Sequence, residues 1–220
     1  MTMNTQFSRQ YRRGERGNVL WFILIALVLI GLLTAVLSRS GTSVDQSGDV
    51  EQQRIQINQM LRYVKGLETA IQQMKLRGIS ENEINLDPNG ADSANCTRGA
   101  CKVFHVDGGG LTHQAPPAAI GAANWLYTGT NNALNVGTAA PDLILMLRNV
   151  NEGFCNQINR LMNVTQGAAD STIDFTAFSG TYPNPATQTI DNAGGRASGC
   201  QVYDTGGGTE NFFYHVLIAR

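Results

Sequence analysis

Two kinds of apolar pattern follow one another in the first third of the chain. Residues 19–37, VLWFILIALVLIGLLTAVL, contain no charged side chain, and Thr34 supplies their only hydroxyl group. As an α-helix that rises about 1.5 Å per residue, this run is about 30 Å long, which is enough to cross the hydrocarbon core of a bilayer. The pattern therefore predicts a transmembrane helix over residues 18–38.

The second pattern is periodic and predicts an amphipathic helix over residues 49–77, after a polar joint at residues 39–48. From Ile57 onward, apolar residues recur at alternating steps of three and four, which places them on one helix face. They are Val50, Ile57, Met60, Val64, Leu67, Ile71 and Met74. Such a stripe must be covered, either by the domain that the same chain forms or by a helix of a neighbouring subunit.

The sequence of residues 78–220 predicts a domain, called the head here, that combines short strands with one further helix. Alternation or turn signals indicate strands at residues 102–106 (KVFHV), 122–128, 201–203 and 211–218, the last two joined by a hairpin at Gly206–Gly208. Pro141 begins a predicted helix that runs to about Val164. The predicted fold class is α+β, in which a long N-terminal helix carries a small, disulfide-tied, antiparallel-sheet head.

Charge around the apolar run predicts the orientation of the chain. Arg9, Arg12, Arg13 and Arg16 precede it, against a single acidic residue, Glu15. Basic residues stay on the cytoplasmic side, so residues 1–17 are predicted to be a cytoplasmic leader, with the head on the outer side of the membrane. A cleaved secretory signal is the alternative, but the apolar run is too long for one and Leu37 occupies a position that requires a small residue.

The overall composition bears on possible partners. The net charge is −1 and only 15% of the residues are charged. Without a basic field, no nucleic acid is expected to bind. The membrane is the first predicted partner.

Four cysteines, Cys96, Cys101, Cys155 and Cys200, lie on the outer side of the predicted membrane crossing. An even number in an oxidising compartment favours two disulfides, for which three pairings exist. The short spacing of Cys96 and Cys101 favours a local bridge, which leaves Cys155 to pair with Cys200. A zinc site formed by Cys96, Cys101 and the nearby histidines His105 and His113 is the less favoured alternative, because the cysteine spacing is unusual for zinc.

The glycine triplets and the scattered aspartates do not match known phosphate-binding or calcium-binding motifs. The glycine triplets at 108–110 and 206–208 lack the continuation of a phosphate-binding loop. Asp170, Asp174, Asp191 and Asp204 could bind calcium, but no recognised spacing supports this. The sequence thus predicts no catalytic, cofactor or metal site, and it favours a protein that is not an enzyme.

The layout of residues 9–77 resembles type IV pilins and the pseudopilins of type II secretion. In those proteins a short basic leader that ends in glycine precedes a hydrophobic helix, which continues as an amphipathic one into a β-rich head. The resemblance implies leader cleavage between Gly17 and Asn18 by a prepilin peptidase. The family usually has Phe or Met as the first mature residue and Glu as the fifth, where this chain has Asn18 and Phe22. The missing glutamate favours a minor subunit.

The resemblance implies a structural subunit that joins other pilin-like subunits through its N-terminal helix. Small residues in the apolar run permit close helix contacts, and the stripe offers further ones. The predicted assembly residues are Ala26, Gly31, Ala35, Ile57, Val64 and Ile71. The alternative function is a single-pass, membrane-anchored binding or envelope module that does not polymerise.

Overall fold

The computed structural model describes residues 18–121, 124–170, 173–183 and 185–220, and the side chains of the first helix at residues 20–36 and from Val50 onward. The chain divides into two units, Met1–Val50 and Glu51–Arg220. The predicted cytoplasmic leader, residues 1–17, lies outside the described residues.

Helix α1 extends over Asn18–Leu76 without interruption. The predicted joint at residues 39–48 is therefore wrong, because this stretch is helical. Gly41 and Gly48 each cost a helix about 1 kcal/mol relative to alanine, which is too little to end it, and the stretch contains no proline. The predicted end of the amphipathic part is confirmed, because Gly78 follows the helix with a φ of 86°.

The second unit contains a four-stranded antiparallel sheet with the order β1-β3-β6-β5 and a two-stranded parallel sheet, β2-β4. The strands are β1 (Leu126–Thr128), β2 (Asn131–Ala133), β3 (Leu143–Leu147), β4 (Gln188–Ile190), β5 (Ser198–Asp204) and β6 (Thr209–Ile218), and helix α2 (Glu152–Met162) lies between β3 and β4 in the chain. The α+β class, the antiparallel sheet and the closing hairpin are confirmed.

The sheet is covered on both faces. Alternate residues of β3, namely Leu143, Leu145 and Leu147, join one apolar cluster with the α1 stripe and with α2. The residues between them, Ile144 and Met146, join a second cluster with the β2–β4 layer. Successive residues of a strand point to opposite faces, so the two clusters lie on opposite sides of the sheet. The second unit therefore has three layers: the helices, the four-stranded sheet and the β2–β4 layer.

Coverage on both faces explains why the predicted helix from Pro141 to Val164 is wrong in its first half. A strand that is buried on both faces has a continuous apolar sequence, and LILML at residues 143–147 is such a run. The second half of the prediction is confirmed as α2. Between the two elements, Asn149 adopts a φ of 57°, which no helix interior contains.

The predicted strand at residues 102–106 is also wrong. A 3₁₀ turn at Gly99–Cys101 precedes it, and the chain then folds back, with the Gly109 N–H donating to the Lys102 carbonyl at 3.1 Å. A Cβ atom at Gly108 or Gly109 would overlap the carbonyl oxygens of Lys102 and Val103. The glycine triplet thus permits a tight turn, where sequence alternation had indicated a strand.

Both predicted disulfides are present. Cys96 bonds to Cys101 and Cys155 to Cys200, and the described residues include no free cysteine. The first bridge closes a surface loop, whereas the second joins α2 to the edge strand β5. Because the sulfurs of Cys96 and Cys101 are bonded to each other, they are not available as zinc ligands.

We expect the α1 stripe to carry much of the stability of the second unit. Ile71 is fully buried, whereas Ile55, on the same helix, is 51% exposed. Replacing Ile71 by alanine should lower the free energy of unfolding by about 2–5 kcal/mol, because it leaves a cavity in the core. Ile55→Ala is the matched control and should cost less than about 1 kcal/mol. Chemical denaturation of both variants measures the difference, and equal losses would contradict the packing.

The two disulfides should contribute unequally. Their cysteines are 5 and 45 residues apart. In the chain-entropy model the shorter loop is worth about 2 kcal/mol and the longer about 4 kcal/mol. The double variant Cys155→Ser/Cys200→Ser should therefore unfold at lower denaturant than Cys96→Ser/Cys101→Ser. The reverse order would show that the surface loop matters more than the link between α2 and the sheet.

Candidate functional site

The first unit presents an apolar helix surface. Between Leu20 and Val36, the large hydrophobic side chains are 39–67% exposed, and they occupy every side of the helix. The Thr34 hydroxyl lies 2.9 Å from the Gly31 carbonyl and 3.1 Å from that of Ile30, so it is satisfied within the helix. Among the described residues, no helix is both long and apolar enough to cross a bilayer.

The predicted assembly residues in this segment do not share one face. At about 100° per residue, Gly31 and Ala35 lie about 40° apart, whereas Ala26 lies about 140° from Gly31. Gly31 and Ala35 therefore form a small-x-x-x-small pair, which allows another helix to approach closely. Apart from its own turn of helix, a Cβ atom at Gly31 would meet no atom of the described residues within 4 Å. The assembly role of these three residues stays a prediction.

Ile57, Val64 and Ile71 have a different environment. All three are at most 1% exposed and belong to the apolar cluster that α1 forms with the sheet. The sequence left open whether the stripe faces its own domain or a neighbour, and the structure places it against its own domain. These residues are therefore not available as assembly contacts in the folded second unit.

The edge strand β5 is closed by its own chain. The Asn159 side chain of α2 donates from Nδ2 to the Cys200 carbonyl and accepts from the Cys200 N–H, both at 2.8 Å. Asp170 donates its N–H to the Val202 carbonyl at 2.8 Å and accepts from the Asp204 N–H at 2.9 Å. An added strand would have to displace these bonds.

The opposite edge of the sheet is covered as well. The Phe178 N–H donates to the Tyr127 carbonyl of β1 at 2.7 Å, which brings a loop against this three-residue strand. Short, covered edges are the usual protection against edge-to-edge association. The sheet therefore offers no free edge in the described region around Tyr127 or around Cys200.

A buried polar chain, which sequence reasoning missed, joins α1 to the sheet. His215 Nε2 lies 2.9 Å from Glu68 Oε2, and its Nδ1 is hydrogen-bonded to Ser198 Oγ. Lys65 Nζ approaches the same Glu68 oxygen at 2.8 Å. Glu68 is separated from His215 by most of the chain, so local sequence carries no signal for the contact.

Burial and neighbouring charges determine which groups of this hydrogen-bonded series carry a proton. Burial lowers the pKa of His215 by more than the hydrogen bond and charge of Glu68 raise it. Burial alone would raise the pKa of Glu68, but Lys65 and His215 outweigh it and the net pKa is lowered. At neutral pH, His215 is therefore neutral, donates from Nε2 to the Glu68 carboxylate and accepts the Ser198 hydroxyl at Nδ1.

A serine, a histidine and a carboxylate joined by hydrogen bonds are the groups of a nucleophilic triad. Here, however, Ser198 is buried, and it lines none of four cavities in the described part of the molecule. Its Oγ is hydrogen-bonded to the largely buried His215 ring. The arrangement in this structure is suited to joining helix and sheet.

The remaining candidate ligands are dispersed. His105 is exposed on a turn, and the His113 ring lies edge-on to Phe104 with ring centroids 5.2 Å apart. Within the described residues, no three His, Cys, Asp or Glu side chains are arranged to hold a metal ion. Asp174 and Asp204 instead accept backbone N–H groups two residues ahead, from Thr176 at 2.8 Å and Gly206 at 2.7 Å, as turn-forming residues do.

Asp170 has a structural role beside β5. Its Oδ1 accepts hydrogen bonds from the Asp191 N–H and from Asn192 Nδ2, both at 3.1 Å. Burial, reinforced by the charge of Asp191 and opposed by these hydrogen bonds, raises the pKa of Asp170 to about 6. The carboxylate is therefore ionised at neutral pH against the effect of its surroundings.

We expect His215 to make the fold sensitive to mild acid. Because its folded pKa is lower than its unfolded pKa, its stabilising contribution is complete above about pH 6.5 and is lost as the pH falls below it. The advantage of the wild type over His215→Gln should shrink between pH 7 and pH 5. Urea denaturation at each pH measures it, and a constant difference would contradict the neutral, buried imidazole.

Asp170→Asn provides a control of opposite sign. The raised folded pKa of Asp170 favours the folded state at low pH, and this contribution is lost as the pH rises from about 4 to 6. Relative to Asp170→Asn, the wild type should gain about 2 kcal/mol as the pH is lowered through this range. A common trend in both variants would indicate a general acid effect instead of these two groups.

Comparison with protein-family models, with curated protein sequences and with solved structures finds no match for this chain.

Proposed function

We propose that the chain is a minor, pilin-like or pseudopilin-like structural subunit of a bacterial type IV filament or secretion system, anchored in the inner membrane before assembly. The observation that carries the proposal is the apolar surface of α1 at residues 20–36. Side chains such as Trp21, Phe22 and Leu33 are more than 60% exposed there, and soluble monomers rarely expose apolar surface of this extent.

The sequence supports a membrane as the first partner of that surface. The uncharged run extends one residue beyond the described side chains at each end, to Val19 and Leu37, and an arginine cluster precedes it. The internal hydrogen bonding of Thr34 suits an environment without water. In lipid, the apolar residues lose no hydrophobic stabilisation when neighbouring helices replace the acyl chains.

The second unit supports assembly through the helix in preference to the head. Its stripe on α1 is buried in its own core, and the two edges of its four-stranded sheet are covered by its own chain around Tyr127 and around Cys200. An apolar segment that remains exposed is then the surface most in need of a partner. Gly31 and Ala35 provide the closest approach along it, with a second contact near Ala26.

The alternative is a membrane-anchored module that does not polymerise. It shares the anchor and the head but requires neither removal of the leader nor contacts between helices of different copies. Phe22, where the family's glutamate would stand, is compatible with this alternative and with a minor position in a filament. The two proposals differ in what happens at Gly17 and around Gly31.

Single cysteines at Gly31, Ala35 or Ala26 should crosslink between chains in native membranes. The four natural cysteines form disulfides, so each introduced thiol is the only free one in the described chain. We expect the strongest dimer band at residue 31 or 35, because small residues let helix backbones approach. Non-reducing electrophoresis after mild oxidation measures it.

Asp107→Cys is the matched control, since its side chain is 72% exposed on a loop of the head and reports random collision. N-terminal sequencing of the same membrane protein should give Asn18 as the first residue. If all three helix variants crosslink no more than the control and the leader is intact, the anchored module replaces the filament subunit.

A further inference from the structure

A cavity of about 290 Å³ lies beside β1, between the loop at residues 84–93 and the loop at residues 177–180. Trp125, Tyr127 and Phe178 contribute aromatic surface, and Asp87 and Asp92 contribute carboxylates. Among the described residues that line it there is no lysine, arginine or histidine. The cavity is therefore aromatic and acidic, at the lower end of the size range of small-ligand sites.

The same unit shows how it holds a guanidinium group. The Arg148 Cζ lies 4.4 Å from the centroid of the Phe175 ring, and the group pairs with Glu210 through two contacts of 3.2 Å. Tyr203 completes the arrangement by hydrogen-bonding to both partners. An aromatic face and a carboxylate at its margin thus fix a planar cation.

A second guanidinium is held by the same combination. The Arg220 Cζ lies 4.1 Å from the centroid of the Tyr182 ring, and its Nε is 3.2 Å from Glu81 Oε2. The ring of Tyr182 in turn contacts Phe178, with the ring centroids 4.9 Å apart. The ring that holds this arginine is therefore a direct neighbour of a ring that lines the cavity.

The cavity has both components of this combination. Asp92 is already neutralised by Lys102, whose Nζ lies 2.5 Å from Asp92 Oδ1. Asp87 is in no ion pair among the described residues, and its Oδ1 accepts only the Asn89 N–H of a turn, at 2.7 Å. The aromatic rings together with the Asp87 carboxylate match the two internal arginine sites in composition.

We infer that this cavity binds a guanidinium group, presented by an arginine side chain of another protein or by a free guanidino compound. The planar, weakly hydrated cation stacks on aromatic rings and pairs with a carboxylate, whereas an ammonium group is more strongly hydrated and stacks less well. The Trp125 indole N–H already donates to the Gln114 carbonyl at 2.6 Å, so the indole offers its ring and not its donor. The inference does not depend on membrane assembly.

Titration of the full chain in detergent micelles tests the site. The protein has two tryptophans, so Trp21→Phe leaves Trp125 as the only indole fluorophore. Arginine amide should change this fluorescence saturably, at about millimolar concentration for a single stacked ion pair. Citrulline amide has nearly the same shape without the charge and should have no effect, and lysine amide should bind more weakly than arginine amide.

Asp87→Asn should weaken the binding of arginine amide at least about five-fold, because it removes one charge while an Asn oxygen can still accept the turn hydrogen bond. Asp107→Asn, a matched change on an exposed loop outside the cavity, should leave binding unchanged. Phe178→Leu should also weaken the binding of arginine amide, because it removes an aromatic ring from the cavity. This second variant tests the site if Asp87→Asn misfolds. Equal binding of citrulline amide, no binding of arginine amide, or indifference to both substitutions would overturn the inference.

The source of the guanidinium is resolved by comparing arginine amide with a short peptide that contains one central arginine. Tighter binding of the peptide identifies a protein partner, since flanking backbone then adds contacts. Equal or tighter binding of the amide identifies a free guanidino compound.

Discussion

Burial of the apolar stripe of α1 is the interaction on which the second unit depends. Met60, Leu67 and Met74 are at most 2% exposed, and they pack into the same cluster as β3, β6 and α2. This helix, together with α2, supplies the apolar cover that one face of the four-stranded sheet requires. The Cys155–Cys200 bridge and the paired hydrogen bonds of Asn159 then fix α2 on the same face.

Because its own domain covers the stripe, the two parts of α1 have different roles. The residues beyond Glu51 serve the core, whereas residues 20–36 retain exposed apolar side chains. With the edges of the four-stranded sheet also covered around Tyr127 and Cys200, the continuous exposed apolar surface lies in the first unit. This separation is what a subunit needs if its helix is to exchange lipid for other helices while its head remains folded.

Two arginines and one histidine of the second unit are each held by groups from distant parts of the chain. Arg148 and Arg220 each lie on an aromatic ring beside a carboxylate, and His215 bridges Glu68 and Ser198 within the core. Each arrangement joins segments distant in sequence, so each restrains the packing of the layers as well as satisfying a polar group. The cavity beside β1 combines aromatic rings with Asp87, which is in no ion pair among the described residues, and this combination carries the inference about a guanidinium ligand.

Sequence alone determined the features that depend on local periodicity and on the chemistry of single residues. These are the amphipathic part of α1, the closing hairpin β5–β6, the α+β class and both disulfides. It failed where a local pattern has two physical solutions. The run at residues 143–147 is apolar throughout, which suits a buried helix as well as a strand covered on both faces, and only the β2–β4 layer decided for the strand.

Tertiary structure also decided which candidate residues are accessible. The sequence could place Ile57, Val64 and Ile71 on one face but could not say what covers that face, because their burial depends on contacts with other elements, β3 and β6 among them. The same holds for His215, whose partners Glu68 and Ser198 lie on two other elements, and for the cavity beside β1, whose walls come from three separate segments. Periodicity fixes which residues point the same way, and long-range packing alone fixes what they meet.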